Sequence, residues 1–518
     1  MAFDGMPDSR GLARSPMRVS RPTKPAAAPG TPAPRRTGRF TPVARSVIYL
    51  LAALAYGLWF TANPVDTPLT QPDSAGYLAF SSSRTAAYPI FLKMVAWLSG
   101  DVGNVVYAQL WIYVAAIAVL GGAVHSVTGS HILAAGVVAA TMINPEINEY
   151  HFVILTESLF ISLMVLILAL VIRFTHQRRW QSLALISFVI GLAIAVRPVG
   201  YGLLTVVAAI GVLFWSDVRA NRRTMLAAAI LPAVAVMLLE YAVYAGHHGL
   251  VRESLAARHI FAKSGLVATR GRNPYPAGHP YRELWRMLEI DLEPVRALIA
   301  GAPNFAARNL LLDNYEVYLQ YQFAGNAIAR AADRAGRTTG EVMADIGRAR
   351  LIKAPGAYLG LVADHFRGVW TVYASRHPGA VAAVNAYLEA NRPLPYEAAG
   401  GALAKPIVVY PPARFIQPAL LILGAMTFLA MTWLVAWYVR RRRSRALTIA
   451  GLAALMVNAN FLLVALAGLG IPRYTVAMWP AIIVSAAFLF CAMVHHLLPA
   501  RWSLVLGPLV GSGDPHVG

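Results

Sequence analysis

Long apolar runs alternate with short polar segments along this chain. A run of about 17–25 apolar residues is long enough for a helix to cross the hydrocarbon core of a membrane. The fifth and sixth runs are separated only by Arg197-Pro198. The pattern predicts an all-α polytopic membrane protein with about ten transmembrane helices, at 46–62, 103–124, 131–147, 151–172, 181–196, 199–215, 224–245, 416–439, 446–469 and 474–497.

One long segment, 246–415, lacks such runs and separates the first seven predicted helices from the last three. Within it, apolar residues recur at helical spacing over 304–335 and 339–350, whereas 406–410 is a candidate strand. We therefore expect a mostly helical extracytoplasmic domain. The predicted organisation is a basic disordered cytoplasmic tail (1–45), helices 1–7 (46–245) with a first outer loop at 63–102, the domain at 246–415, helices 8–10 (416–498) and a cytoplasmic tail (499–518).

Composition and charge agree with this interpretation and add an orientation. The chain is 57% hydrophobic and 13% charged, whereas soluble domains are about 25% charged. With the N-terminus inside, the short cytoplasmic segments carry 21 basic residues and the short outer segments carry four. Because Lys and Arg concentrate in cytoplasmic loops, we expect a multi-pass protein of the cytoplasmic (inner) membrane. Topology and contact with lipid headgroups explain much of the net charge of +21, so no nucleic-acid partner is implied.

Several other classes of protein or site lack support in the sequence. Cys491, the single cysteine, lies in the last predicted helix, so no intrachain disulfide can form. The first apolar run begins near residue 46, beyond the reach of a cleaved signal peptide. The two groups of helices show no symmetry of the kind common in transporters. We find no Walker loop, no zinc-ligand spacing and no Gly-x-Ser-x-Gly elbow.

Candidate chemistry begins in the polar segment 63–84, which follows the first helix and contains Asp66 and Asp73. A carboxylate just above the bilayer can act as a base toward an acceptor hydroxyl. Helix capping is the structural alternative for Asp73. The acidic alternation Glu289-Ile-Asp291-Leu-Glu293 suggests a solvated turn more than a metal site.

Ionisable residues at predicted membrane helices and on the long segment are further candidates. Glu157 begins the fourth helix and either assists chemistry or pairs with an arginine. Arg197 and Arg473 either bind an anion or extend to the headgroups. On the long segment, Lys263 is one of five lysines, and the alternative for His365 is a hydrogen-bonded helix residue.

The order of these motifs gives a resemblance. Asp73-Ser-Ala-Gly-Tyr77, Arg84 with Tyr88-Pro89-Ile-Phe91, Thr156-Glu157-Ser158-Leu159-Phe160, Val196-Arg197-Pro198 and Arg473-Tyr474 follow one another as in GT-C-fold membrane glycosyltransferases. The chain resembles bacterial relatives of protein O-mannosyltransferases and lipid A aminoarabinose transferases over about 46–497. It departs from them at Ala86-Ala87, where relatives often have Pro-Gly.

The resemblance implies an inverting glycosyltransferase that takes a sugar from a polyprenyl-phosphate carrier. The acceptor would be a glycan, lipid or protein of the cell envelope. Asp73 is then the expected base, with Asp66 as its substitute and Glu157 as an assisting group. The donor phosphate would contact the residues Arg84, Tyr88, Arg197, Lys263, His365, Arg473 and Tyr474.

Several points stay open at this stage. The resemblance leaves open whether a divalent cation takes part, and metal ligands stay unknown. The competing hypotheses are a polytopic transporter or lipid flippase, and a non-catalytic envelope-assembly protein.

Overall fold

The structure of this protein is a computed structural model. It describes residues 42–63, 68–215, 221–250, 252, 255–269, 271–391, 415–439, 444–468 and 471–496. These residues are almost entirely helical. Within those ranges the only extended pairing is a single bridge between Leu69 and Val153. Asp66, residues 1–41 and 499–518 of the predicted tails and the candidate strand at 406–410 lie outside the described residues. The last four residues of the predicted N-terminal tail are helical.

Among the described residues, ten helices precede the long segment, and three short turns connect or extend helices. The helices are α1 (Pro42–Ala62), α2 (Pro72–Leu78), α3 (Ala87–Ser99), α4 (Val105–Thr128), α5 (His131–Met142), α6 (Pro145–His151), α7 (Thr156–Gln177), α8 (Trp180–Val196), α9 (Leu204–Phe214) and α10 (Arg222–His248). Two 3₁₀ turns, Val102–Asn104 and Pro198–Leu203, join α3 to α4 and α8 to α9. A π-helical turn, Met287–Asp291, occurs later in the chain.

The segment 255–391 is called the helical insert below. Where the structure describes the chain, the insert contains nine helices and three more follow it. Those of the insert are α11 (Leu255–Leu266), α12 (Arg282–Arg286), α13 (Glu293–Ala300), α14 (Phe305–Tyr321), α15 (Gly325–Ala335), α16 (Thr339–Lys353), α17 (Pro355–Trp370), α18 (Val372–Ser375) and α19 (Pro378–Asn391). The last three are α20 (Ile416–Val439), α21 (Arg445–Ala467) and α22 (Pro472–His496). The expectation of a mostly helical long segment is met over its described residues.

Six helices of the described chain are long and apolar enough to cross a membrane, so the protein is an all-α polytopic membrane protein. They are Val102–Thr128, Thr156–Gln177, Arg222–His248, Ile416–Ala436, Arg445–Ala467 and Arg473–His495. The other four predicted spans, at 46–62, 131–147, 181–196 and 199–215, correspond to shorter apolar helices. The count of ten is therefore not shown by the structure.

Two predicted boundaries are wrong for local reasons. The span at 131–147 ends at Met142, because Asn144 caps a new helix by accepting from the N–H groups of Glu146 and Ile147, and Pro145 occupies its first position. The span at 151–172 begins only at Thr156. Before it, His151 ends α6, Val153 forms a bridge with Leu69 of the first loop, and the N-cap Leu155 is extended, so these residues are unavailable to α7.

The bundle is built around α7. Its apolar window is 83% buried, whereas those of α10 and α20 are 22% buried and so lie at the periphery. Helix α4 packs against α1 and α7, α8 packs against α10, and α22 packs against α21 and α7. Aliphatic and aromatic side chains of these helices form one continuous core. Charged groups at the ends of α7, α8 and α22 are thereby brought to one end of the bundle.

The helical insert has its own apolar core and also rests on that end of the bundle. Leu284, Leu310, Val342 and Ile346 belong to this core. The Tyr358 hydroxyl donates to the Leu466 carbonyl at 2.8 Å, and helix α17 packs along α21. The Thr475 hydroxyl donates to the Val369 carbonyl at 2.9 Å. These bonds hold the insert next to the N-terminal end of α22.

Candidate functional site

Hydrogen bonds attach helix α2 and the residues before it to the segment that precedes α7. The N–H of Leu69 donates to the Phe152 carbonyl at 2.8 Å, and the N–H of Ile154 donates to the Leu69 carbonyl at 3.0 Å. The hydroxyl of Ser74, itself buried, donates to the Ile154 carbonyl at 2.8 Å. The loop that carries Asp73 is thus attached to the segment that leads into α7.

Asp73 lies in the first turn of α2 and does not cap it. The N-cap is Gln71, whose backbone N–H donates to the Ser74 hydroxyl. Asp73 Oδ1 accepts from Arg84 Nη2 at 2.7 Å, and its Oδ2 accepts from Arg473 Nη1. The capping interpretation of Asp73 is therefore wrong, because its carboxylate binds two guanidinium groups.

The two arginines set the acidity of Asp73, whose side chain is 28% exposed. Burial by itself would raise the pKa of this carboxyl. The charges and hydrogen bonds of Arg473 and Arg84 outweigh burial and hold the pKa at about 2. Asp73 is therefore ionised in this arrangement, and it is a weak base while both arginines bind it.

Glu157 forms a second, more deeply buried ion pair next to the first. Its side chain is 2% exposed, and its Oε1 lies 2.8 Å from Arg197 Nη1. The same oxygen is 3.7 Å from Arg473 Nε. Arg197 terminates α8 in an extended conformation, which directs the chain away from the helix axis before Pro198. Glu157 therefore links Arg197 to Arg473, and through Arg473 to Asp73.

Aromatic rings line this network, which we call the arginine cluster (Asp73, Arg84, Glu157, Arg197 and Arg473). Arg84 lies 4.6 Å from the ring centre of Tyr77. Arg197 lies 4.6 Å from that of Tyr474. Such contacts hold guanidinium planes in place without consuming their hydrogen bonds. Tyr88 packs edge-on against Tyr77, and its hydroxyl donates to Gln109 Oε1 at 2.7 Å, so it supports the cluster from behind.

The cluster carries an excess of positive charge. Its three guanidinium groups face two carboxylates, which leaves a net charge of +1. The guanidinium groups can bind an anion, and the partly exposed carboxylate beside them can act as a base. In the described part of the chain, no group of three or more His, Cys, Asp or Glu side chains is arranged to hold a metal ion.

No family model, no curated protein and no solved structure matches this chain.

Two predicted phosphate ligands, Lys263 and His365, lie in a different cluster inside the helical insert. Both are fully buried against Glu316 of α14. Lys263 Nζ donates to Glu316 Oε2 at 3.4 Å, and His365 Nε2 lies 3.2 Å from the same oxygen. Of the predicted residues in the described chain, the structure therefore brings Asp73, Glu157, Arg84, Arg197, Arg473, Tyr88 and Tyr474 together, and places Lys263 and His365 apart from them.

Glu316 is the centre of this second cluster, which we call the insert network (Lys263, Asp313, Glu316, His365 and Arg376). Burial alone would raise the pKa of Glu316, but the adjacent Lys263 and His365 lower it below its ordinary value. Sequence reasoning missed Glu316 and Asp313, although acidic residues three positions apart inside an apolar helical run are a usable signal. It also left out Tyr77, which is four positions after Asp73 and lies on the same face of α2.

Because the carboxyl of Asp313 is buried, we expect an unusual dependence of the protein's stability on pH. Burial raises its pKa to about 6, although Arg376 at 2.9 Å opposes the shift. Since the folded chain binds this proton more tightly than the unfolded chain, the group stabilises the fold below about pH 4, and that contribution is lost as pH rises through about 6. We expect Asp313→Asn to remove this loss.

Thermal unfolding of the purified protein near pH 5 and near pH 7 measures the effect. The decrease in midpoint between these values should be smaller in Asp313→Asn than in the unmodified chain. The exposed Asp333 provides a control, and Asp333→Asn should leave the decrease unchanged. Equal decreases in all three proteins would show that Asp313 does not titrate in this range.

Proposed function

We propose that this protein is an inverting glycosyltransferase with a GT-C-like architecture. It moves a sugar from a polyprenyl-phosphate carrier to a glycan, lipid or protein acceptor at the outer face of the cytoplasmic membrane. The observation that carries the proposal is the arginine cluster, in which a partly exposed carboxylate lies between two guanidinium groups at one end of an apolar helix bundle.

The charge of the cluster suits this donor. A sugar linked to a lipid through phosphate is a phosphodiester, which carries one negative charge. The cluster has a net charge of +1, so binding such a donor would neutralise it. Guanidinium groups bind phosphate oxygens in a planar, two-bond geometry. A bundle whose apolar surface faces lipid can accommodate the hydrocarbon chain of the donor at the same time.

Donor binding would also activate the base. While Arg84 and Arg473 are bonded to Asp73, its pKa of about 2 makes it a poor proton acceptor. A phosphodiester that accepts hydrogen bonds from these guanidinium groups shares their positive charge with Asp73 and so reduces their effect on its carboxyl. The pKa of Asp73 then rises, and the carboxylate gains basicity only when donor is present. Premature reaction with water is thereby disfavoured.

The reaction requires one base and no general acid. Asp73 accepts the proton of the acceptor hydroxyl while the hydroxyl oxygen forms a bond to the anomeric carbon. The bond between that carbon and the phosphate oxygen breaks, and the electron pair leaves with the polyprenyl phosphate. Since the oxygen enters opposite the leaving group, the anomeric configuration inverts. Arg84 and Arg473 stabilise the negative charge that develops on the leaving phosphate.

Glu157 and Arg197 act as positioning residues in this scheme. Glu157 is buried behind Arg473 and lies 3.7 Å from its Nε. Arg197 neutralises most of the charge of Glu157, so Glu157 orients Arg473 without withdrawing it from Asp73. Tyr474 covers Arg197 from the side. The guanidinium group that would contact the donor phosphate is therefore held in place before the donor arrives.

Transfer in detergent tests the proposal. Lipids and envelope material from cells that lack the gene serve as donor and acceptor for the purified full-length protein, and mass spectrometry follows both. We expect one class of polyprenyl-phosphate sugar to be consumed and an acceptor to gain the mass of that sugar. Detergent removes the two sides of the membrane, so a transporter or flippase would produce no such change.

Two results would refute the proposal. One is that the lipids and the acceptors keep their masses although the lipid extract contains polyprenyl-phosphate sugars. The other is that cells with and without the gene have the same envelope glycans and the same pools of these lipids, which would point to a protein outside this chemistry.

A further inference from the structure

A cavity lies in the helical insert, and it shares no residue with the arginine cluster. Its volume is about 470 Å³, within the range of about 300–1,000 Å³ that is usual for small-molecule sites. It is formed by the loop 271–279, helix α12, the π-helical turn and the end of α15. We call it the insert cavity.

The carboxylates that line the insert cavity are neutralised by groups outside its lining. Glu289 lies 2.7 Å from Arg350 Nη2 and also accepts from Thr269. Glu283 lies 2.9 Å from Arg330 Nη2. Neither Arg350 nor Arg330 lines the cavity. These two acids therefore contribute little net negative charge to the space.

The cations of the lining are less fully compensated. Arg286 pairs with Asp291 at 3.1 Å. Arg282 donates to a neutral group, the Tyr275 carbonyl, at 2.7 Å. Arg334 is exposed and forms no salt bridge with any described residue. Two guanidinium charges, those of Arg282 and Arg334, thus face the cavity without a carboxylate, which favours an anionic ligand.

Other lining groups suit hydroxyl-rich molecules. Trp285 is 1% exposed, and its indole N–H has no hydrogen-bond partner among the described residues. A buried donor without a partner is costly unless a ligand or water binds it. His279 stacks on Tyr275 with ring centres 4.5 Å apart, and Asn273 fixes the loop by donating to the Arg282 carbonyl. These polar and aromatic groups surround a space far larger than a single small anion.

The backbone beside the cavity is also unusual. Residues Met287–Asp291 form a π-helical turn, and Glu289 and Ile290 of this turn line the space. Such turns are rare in proteins, and those that occur are often at functional sites. Gly278 of the loop has φ +84°, a conformation that side chains rarely adopt. The cavity is therefore shaped by two local departures from regular structure.

We propose that the insert cavity binds an acidic saccharide. The part of the saccharide that contacts Arg282 and Arg334 carries two negative charges. Its role rests on the proposed glycosyltransferase activity, in which this saccharide is a segment of the acceptor. The insert is bonded to the end of the bundle that carries Asp73. A chain-like acceptor held in the cavity can present another of its hydroxyl groups to the arginine cluster.

Direct binding to the purified full-length protein in detergent tests this site without requiring transfer. The probes are tetragalacturonate, which is acidic, maltotetraose, which is neutral, and inorganic phosphate. We expect isothermal titration to show binding of tetragalacturonate that weakens with added salt, and no binding of maltotetraose. Phosphate at the same concentration should not displace the acidic sugar.

Variants locate the site and separate it from catalysis. Arg334→Gln should weaken binding of tetragalacturonate by about tenfold or more, and Arg334→Lys should restore part of it. Arg348→Gln is the matched control, because Arg348 is exposed on the same insert and does not line the cavity. Because these titrations contain no donor, they report binding alone and not transfer.

The outcomes distinguish this proposal from the proposed function. Equal binding of acidic and neutral sugars, or unchanged binding in Arg334→Gln, overturns the cavity proposal even if transfer occurs. Displacement by phosphate alone would reduce the cavity to a simple anion site and would also overturn it. If tetragalacturonate binds as expected but no transfer is found, the cavity proposal stands as a saccharide site and the glycosyltransferase proposal fails.

Discussion

Replacing Asp73 by Asn is expected to lower the rate of sugar transfer by about 10²–10⁴-fold, the contribution of a well-placed base. Asn has the same shape but cannot accept the acceptor proton at neutral pH. The substitution also raises the net charge of the arginine cluster from +1 to +2. The donor phosphate should therefore bind at least as tightly, so kcat should fall while KM for the donor does not rise.

Steady-state transfer with varied donor concentration measures this split, and size-exclusion chromatography checks folding. The matched control is Asp101→Asn, because Asp101 caps a 3₁₀ turn outside the cluster by accepting from the Gly103 N–H. It should transfer at the rate of the unmodified protein. If Asp73 only anchored its two arginines, Asp73→Asn would instead lower stability and change KM while kcat was retained, and the catalytic assignment would be wrong.

The second large effect concerns stability, and its site is Glu316. We expect Glu316→Gln to lower the free energy of unfolding by about 3–5 kcal/mol, because it leaves a buried cationic Lys263 without its counter-charge. Both side chains are 0% exposed, so water cannot replace the lost partner. His365 loses its carboxylate partner in the same step.

Chemical or thermal unfolding in detergent measures this loss, with Glu389→Gln as the control. Glu389 is exposed on α19 and forms no salt bridge with the described residues, so its substitution should change stability by less than about 0.5 kcal/mol. The double variant Glu316→Gln with Lys263→Met should recover much of the loss, since it removes both charges. A loss below about 1 kcal/mol in Glu316→Gln would show that the insert network does not depend on this pairing.

The structure gives Lys263 a partner that the resemblance does not imply. Its resemblance-based prediction was contact with the donor phosphate, but its ammonium group is bonded to Glu316 inside the insert. The contact that the structure shows for Lys263 is therefore internal to the insert.

Much of the helical architecture was predictable because long apolar runs have few alternatives in a membrane. The backbone must satisfy its own hydrogen bonds there, and a helix does so within one segment. The predicted helix boundaries are wrong where a polar cap or a backbone pairing competes with that rule. Asn144-Pro145 starts a new helix inside a predicted span, and the strand-like pairing of Leu69 with Val153 delays the start of α7.

The candidate site was partly predictable for a related reason. Ionisable side chains are costly near lipid, so those placed at the ends of apolar runs stand out, and Glu157, Arg197 and Arg473 were found in this way. Asp73 came from the polar segment after the first helix and from the resemblance. Their pairing could not be found, because Asp73 and Arg473 are 400 positions apart. The phosphate contact that the resemblance implies for Lys263 and His365 stays a prediction. Their pairing with Glu316 could not be found either, because Glu316 lies within a helix that ordinary periodicity describes as core.

By itself, the amino-acid sequence determined that this chain is helical and crosses a membrane several times, and which charged residues are unusual enough to need partners. It did so through local properties, namely the length of apolar runs and the energetic cost of charges among them. Only the tertiary structure decided that Asp73 binds two arginines, that Glu157 joins Arg473 to Arg197, and that Lys263 and His365 meet at Glu316. Those contacts depend on packing between distant helices, because each charge is stabilised by whichever opposite charge the fold brings within hydrogen-bonding distance.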